Sequence, residues 1–174
     1  MSRLPNPMNH PTEQQKMLLE KMEKKRGHID GMYLTLLNHP DLTEKVSDLG
    51  GFLRFGSTLK GKYREFIILY CARKFDAEYE WIKHLPHAIE EGVGQALIDT
   101  IHQGAEHFEE PYESLVAVAN CALKLENIPK PLQDRAIDIV GVEGLLEVVT
   151  LVNFYRMIAG IIFCFDVPLP EKVS

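Results

Sequence analysis

Cysteine is scarce in this chain. Cys71, Cys121 and Cys164 are the only three, and they lie far apart. They form no CxxC pair and no even-numbered framework of the kind that staples small secreted domains, so a reducing, cytoplasmic setting is expected. Each is read as a small apolar core residue. Positive charge is also short: 19 Lys and Arg stand against 25 Asp and Glu, a formal net charge of −6. The one basic cluster, KMEKKR at 21–26, is flanked or interrupted by Glu20 and Glu23 and reads as a solvated helix face. With no basic stripe and no aromatic RNA-binding signature, the balance argues against a nucleic-acid partner.

Nucleotide and nucleophile motifs are missing as well. GGFLRFG at 50–56 lacks both the Lys-Ser/Thr of a phosphate loop and GxGxxG spacing, and no GxSxG elbow occurs. The N-terminal MSRLPNPMNHPTEQQ has three prolines and no apolar core, so an irregular arm is expected there rather than a signal peptide. One long apolar run exists, Leu145 to Phe165. Glu147, Asn153 and Arg156 interrupt it, and charges at mid-bilayer are costly, so it predicts a buried core helix and no membrane partner.

Strict polar–apolar alternation is absent too, and what remains is helical period nearly everywhere. With 45% hydrophobic and 25% charged residues, the composition is that of an ordinary globular domain with a real core. Thr12 with Gln15 makes a capping box for a helix through about Gly27. A short helix near 29–37 ends at Asn38-His39-Pro40, and Pro40 opens the next, which is expected to reach about Phe55. Helices follow from near Leu59 to Phe75, over Ala77–Glu91 with Gly92 closing it, and at about Gln95–His102. Tyr112–Leu125, Pro131–Val140 and Val142–Phe165 complete the series. The expected fold is therefore an all-α single-domain bundle of about nine helices, divided into an N-terminal arm and helix over 1–28 and a helical domain over 29–174. The last helix is apolar nearly all round, which predicts a homo-oligomer that encloses it.

Chemistry concentrates between Glu65 and Gly92. Glu80, His84 and His87 share one helical stripe, because residues four and seven apart lie on one face. Three readings are open: an acid/base imidazole oriented by a carboxylate, an ordinary i,i+4 surface pair, or part of a metal site. HxxH with one glutamate is far weaker than HExxH, and no metal is assigned. Glu65 sits in an apolar helix, either solvated beside Lys62 and Arg64 or buried with a raised pKa. Trp81 reads first as a packing residue. Tyr155 and Arg156 bring a hydroxyl and a cation from the last helix, with burial of Tyr155 by packing the simpler reading. His102 and His107 have no partner spacing and receive no role.

The segment REFIILYCARKFDAEYEWIKHLPHAIEEGV, 64–93, resembles the core motif of the carboxymuconolactone decarboxylase family, within the alkyl hydroperoxidase D-like superfamily. The likeness runs on from Leu36-x2-His39-Pro40 to the closing LVNFYRMIAGIIFCFDVPLP. In the hydroperoxidase branch the motif has a glutamate, a CxxC and a histidine four residues after the second cysteine. Glu65 and His84 match the glutamate and the histidine, whereas Ala77 and Glu80 stand at the two cysteine positions. That departure removes the dithiol and disfavours thiol peroxidase chemistry. The resemblance implies an all-α fold with a small cavity between helices, assembled as dimers, trimers or hexamers.

It further implies a lyase without a cofactor, acting on a small carboxylated lactone or related cyclic acid. Glu65, Glu80 and His84 are the catalytic candidates. His84 is expected to deliver a proton or stabilise a developing oxyanion, Glu80 to fix its tautomer, and Glu65 to act as a second acid/base group. Trp81, His87 and Tyr155 are the substrate-binding candidates, and Arg64 and Arg156 the candidate cations for an anionic substrate. Two carboxylates repel such a substrate unless one is protonated. An isomerase or hydratase acting on a neutral molecule is therefore the alternative, and a non-catalytic oligomeric binding protein the rival from another class.

Overall fold

The computed structural model describes residues 2–27, 29 and 31–170. Its described residues form eight α-helices and no strand, the all-α architecture expected from the period. Helix α1, Glu13–Arg26, opens on the capping box: Thr12 accepts from the Gln15 amide, and the Gln15 side chain accepts from the Thr12 amide at 2.8 Å. Helix α2 is Gly31–Leu36, and α3, Pro40–Gly51, starts where His39 Nδ1 accepts from the Leu42 amide. The expected single helix to Phe55 changes character after Gly51. Residues Phe52–Gly56 form a π-helical turn, whose extra residue per turn drives Leu53 into the core and leaves Arg54 half-buried beside it.

Helix α4, Gly61–Lys74, is the centre of the molecule. Every residue from Tyr63 to Ala72 is buried, Glu65 included. A helix enclosed on all sides needs neighbours all round, and α5 (Glu78–Glu90), α6 (Gln95–His102), α7 (Tyr112–Lys124) and α8 (Lys130–Cys164) all pack on it. Complete burial of side chains such as Phe66, Ile67 and Leu69 stabilises the fold by about 1.5–3 kcal/mol each. The two helices expected over 131–140 and 142–165 meet at a kink, where Gly141 takes φ 76° and breaks the helical path. Beyond that kink, Leu145, Val148, Leu151, Val152, Phe154, Tyr155 and Ile158 face inward, while Leu146, Met157 and Phe163 remain exposed. Helix α8 is the one described helix long and apolar enough to cross a membrane. Just over half of its most apolar stretch is buried within the protein.

The loop between the π turn and α4 is tied to α8 by Glu147. Its carboxylate accepts from Ser57 Oγ at 2.6 Å, from the Thr58 amide at 2.9 Å and from the Leu59 amide at 3.2 Å. The N-terminal arm is likewise anchored. The Arg3 amide donates to the Phe165 carbonyl at 2.8 Å, and Leu18 and Met22 of α1 pack with Ile29 and Leu37 in a small second core. Helix α2 then packs on α8. The division expected after residue 28 and the start of the helix expected near 29–37 fall at His28 and Asp30, which lie outside the described residues.

Candidate functional site

Three helices converge on His84. Helix α4 contributes Glu65, α5 contributes Glu80 and His84 itself, and α8 contributes Tyr155. The spacing from Glu80 to His84 puts both on the inner face of α5, and all four side chains are buried. His84 Nδ1 lies 2.8 Å from Glu65 Oε2, and His84 Nε2 lies 2.9 Å from the Tyr155 hydroxyl and 3.5 Å from Glu80 Oε2. An ionised carboxylate can only accept, so Nδ1 carries the proton facing Glu65. Nε2 is then the atom turned toward Tyr155 and Glu80.

The two carboxylates are placed in opposite electrostatic settings. Burial pushes the Glu65 pKa up, but the hydrogen bond and charge of His84, with Arg64 beside it, outweigh burial and hold it below the usual carboxylate range. Arg64 Nε reaches Glu65 Oε1 at 3.2 Å, and its Nη2 reaches Glu91 at 2.9 Å. For Glu80, burial dominates the attraction of His84 and Lys83, and the pKa is raised. Tyr155 is pushed well above the ordinary phenol value by burial, then by the Glu80 and Glu65 charges, with Arg54 opposing. The site thus sets a carboxylate held below its ordinary pKa on one side of an imidazole against a carboxyl and a phenol raised above theirs on the other. Environments that separate two titratable groups in this way mark sites of proton chemistry.

The cluster borders a cavity of about 260 Å³, whose lining includes Glu80, His84 and Tyr155. Met32, Phe154 and Ile158 supply apolar wall, and Arg54, Lys83 and His87 line the remaining side. Met32 and Tyr33 bring α2 into that wall, so the N-terminal segment shapes the cavity.

The sequence candidates divide accordingly. Glu65, Glu80, His84 and Tyr155 come together, and His87 joins the cavity wall one turn beyond His84. Trp81 is not in that wall. It is buried against the His102 ring, 5.1 Å between centroids, where it packs α5 on α6. Nor do the two candidate cations reach the cavity: Arg64 is spent on Glu65 and Glu91, and Arg156 donates to the Leu123 carbonyl in a separate surface groove. The group that engages Nδ1 is Glu65 rather than Glu80, the reverse of the expected assignment. Cys71 is fully buried and its thiol is pushed up to about 12 by burial, a core residue as expected, whereas Cys164 is exposed.

Sequence reasoning missed Arg54, Lys83 and Tyr79. Lys83 directly precedes His84, but only the cavity itself, with Gly50, Met32 and Tyr33 in its lining, shows that Lys83 borders it. Arg54 was visible only as part of GGFLRFG, and its direction follows from a π turn that no residue pattern announces. Among the described residues, no group of three or more His, Cys, Asp or Glu side chains is arranged to hold a metal ion. Comparison with protein-family models gives no match, and neither does comparison with curated protein sequences.

Proposed function

We propose that this protein is an enzyme of acid/base chemistry, resembling the carboxymuconolactone decarboxylase family, that transfers a proton to or from a small carboxylated molecule without a cofactor. The observation that carries the reading is the buried relay Glu65–His84–Tyr155, with links of 2.8 and 2.9 Å, ending at a cavity. A carboxylate holding one imidazole nitrogen raises the basicity of the other, and a hydroxyl on that other nitrogen passes a proton onward. At about 260 Å³ the cavity lies at the small end of ligand pockets, which run to about 300–1,000 Å³, so the substrate is a small molecule.

Decarboxylation balances within this set. The electron pair of the carbon–carboxylate bond passes into the conjugated ring as CO₂ leaves, giving an enolate. Tyr155 delivers its proton to the carbon and takes one from Nε2 of protonated His84, leaving His84 neutral with its Nδ1–H still donated to Glu65. Glu80, whose pKa burial raises, is the proposed donor to the enolate oxygen, where a protonated carboxyl adds no repelling charge against an anionic substrate. That removes the objection that favours a neutral substrate.

The chain is also proposed to work as a homo-oligomer, supported by Leu146, Met157 and Phe163 standing exposed along α8. Light scattering at micromolar concentration tests this, and a strict monomer overturns it.

The function is tested by incubating the protein in D₂O with a panel of ring-cleavage lactones and related acids, following CO₂ release, ultraviolet absorbance and deuterium incorporation. Turnover that falls in both His84→Gln and His84→Ala supports the reading. Turnover unchanged in both overturns it.

A further inference from the structure

Among the described residues, three arginines are matched to acids and Arg156 to a backbone carbonyl. Arg64 pairs with Glu65 and Glu91, Arg73 with Asp76, and Arg3 with Asp166. Arg54 is different. Half-buried in the cavity wall, it has no carboxylate partner among the described residues. Its Nη2 lies 2.5 Å from His87 Nε2, and its guanidinium carbon lies 5.1 Å from the Phe55 ring centroid. A guanidinium carries five N–H donors in a planar fork, and one imidazole nitrogen satisfies only one of them. A carboxylate takes two in parallel, a bidentate pair that adds opposite charge and geometric specificity which a single imidazole nitrogen does not supply.

The placement is held from both ends. The π turn that carries Arg54 continues directly from α3, and the loop after it is fastened to α8 by the three donors on Glu147. The same lining holds the apolar Met32, Phe154 and Ile158, alongside the charged Glu80 and Lys83. Resting on the site proposed above for its location, though not on its chemistry, we propose that Arg54 is the anchor for the carboxylate of a small, otherwise apolar ligand. His87 holds the guanidinium and yields it when the ligand's carboxylate arrives. The bound body then lies on the apolar wall, and the reacting atoms face Tyr155 and His84. Specificity in this cavity is therefore for a carboxylate borne on a ring or short apolar chain.

Benzoate, benzamide and inorganic phosphate are suitable probes, titrated by calorimetry against the full chain and its variants. Benzoate is expected to bind saturably and to shift the NMR signals of the His87 ring. Arg54→Gln is expected to weaken it by about tenfold or more, and Arg54→Lys, which keeps charge but not the fork, by a smaller factor. Benzamide and phosphate are expected to bind poorly, lacking the charge and the apolar body respectively. Arg54 is half-buried, so both variants should melt near the wild-type temperature. The proposal is overturned if the wild type does not bind benzoate, if Arg54→Gln binds it as tightly, or if benzamide or phosphate matches it. Binding is read here without turnover. Inert chemistry with intact Arg54-dependent binding therefore sinks the proton-transfer reading alone, and Arg54-independent binding sinks this proposal alone.

Discussion

Glu65 and Glu147 are alike in almost every local measure. Each is buried, each belongs to a helix of the central packing, and in each, donors outweigh burial and lower the pKa. The donors are what differ. Glu147 is held by a hydroxyl and two backbone amides, groups with no proton to trade near neutrality, and it fastens a loop. Glu65 is held by an imidazole and a guanidinium, and the imidazole has its other nitrogen on Tyr155 at the edge of a cavity. Burial and a shifted carboxylate therefore do not identify a site by themselves. A titratable partner with a route to solvent-sized space does.

The largest effect expected to break this comparison is on turnover. His84→Gln should lower it by about 10²–10⁴, the usual worth of a positioned acid/base group, with binding of a benzoate-like probe retained. Steady-state kinetics on whichever substrate the exchange screen yields reads this directly. Next comes stability. Glu65→Ala leaves Arg64 and His84 facing an empty buried space, and the loss of one partner from a buried ionic network costs about 3–5 kcal/mol. Glu147→Ala strands the Thr58 and Leu59 amides, a cost of about 1–3 kcal/mol. Denaturant unfolding should rank the two in that order. A larger loss at Glu147 would reverse the assignment of which carboxylate the fold depends on.

Much of this architecture was legible in the residues. The Thr12–Gln15 capping box, Pro40 at a helix start, the bounds of Gln95–His102 and the break at Gly141 all act through neighbours in sequence, and such signals survive without tertiary information. Glu80 and His84 were legible for the same reason, as i and i+4 on one face. Glu65 was harder. Its pattern favoured a solvated residue, and its burial follows from four helices closing on α4, a global fact. Trp81 was named for its proximity to Glu80 in sequence, yet adjacent helical residues point about 100° apart, and it faces α6 instead. Arg54 was out of reach, because a π turn shifts the register of every side chain it carries.

The smallest expected effect concerns Glu80, and it sharpens the contrast through pH. Glu65 has a folded pKa below the ordinary 4.5, so its contribution to stability is present above 4.5 and is lost as pH falls through the folded value. Glu147 behaves with the same sign. Glu80 has a folded pKa above 4.5, so its contribution is complete below 4.5 and declines as pH rises through the folded value. Removing the titration without removing the shape should therefore help the fold at neutral pH. Glu80→Gln is expected to be more stable than the wild type there by up to about 1 kcal/mol and to lose that advantage below pH 4.5. Glu65→Gln should do the opposite, losing stability at neutral pH and converging on the wild type in acid. Chemical unfolding of the three proteins from pH 4 to 8 checks both signs at once. If Glu80→Gln and Glu65→Gln shift the curve the same way, the two carboxylates share one ionisation state, and the division into an orienting base and a protonated acid fails.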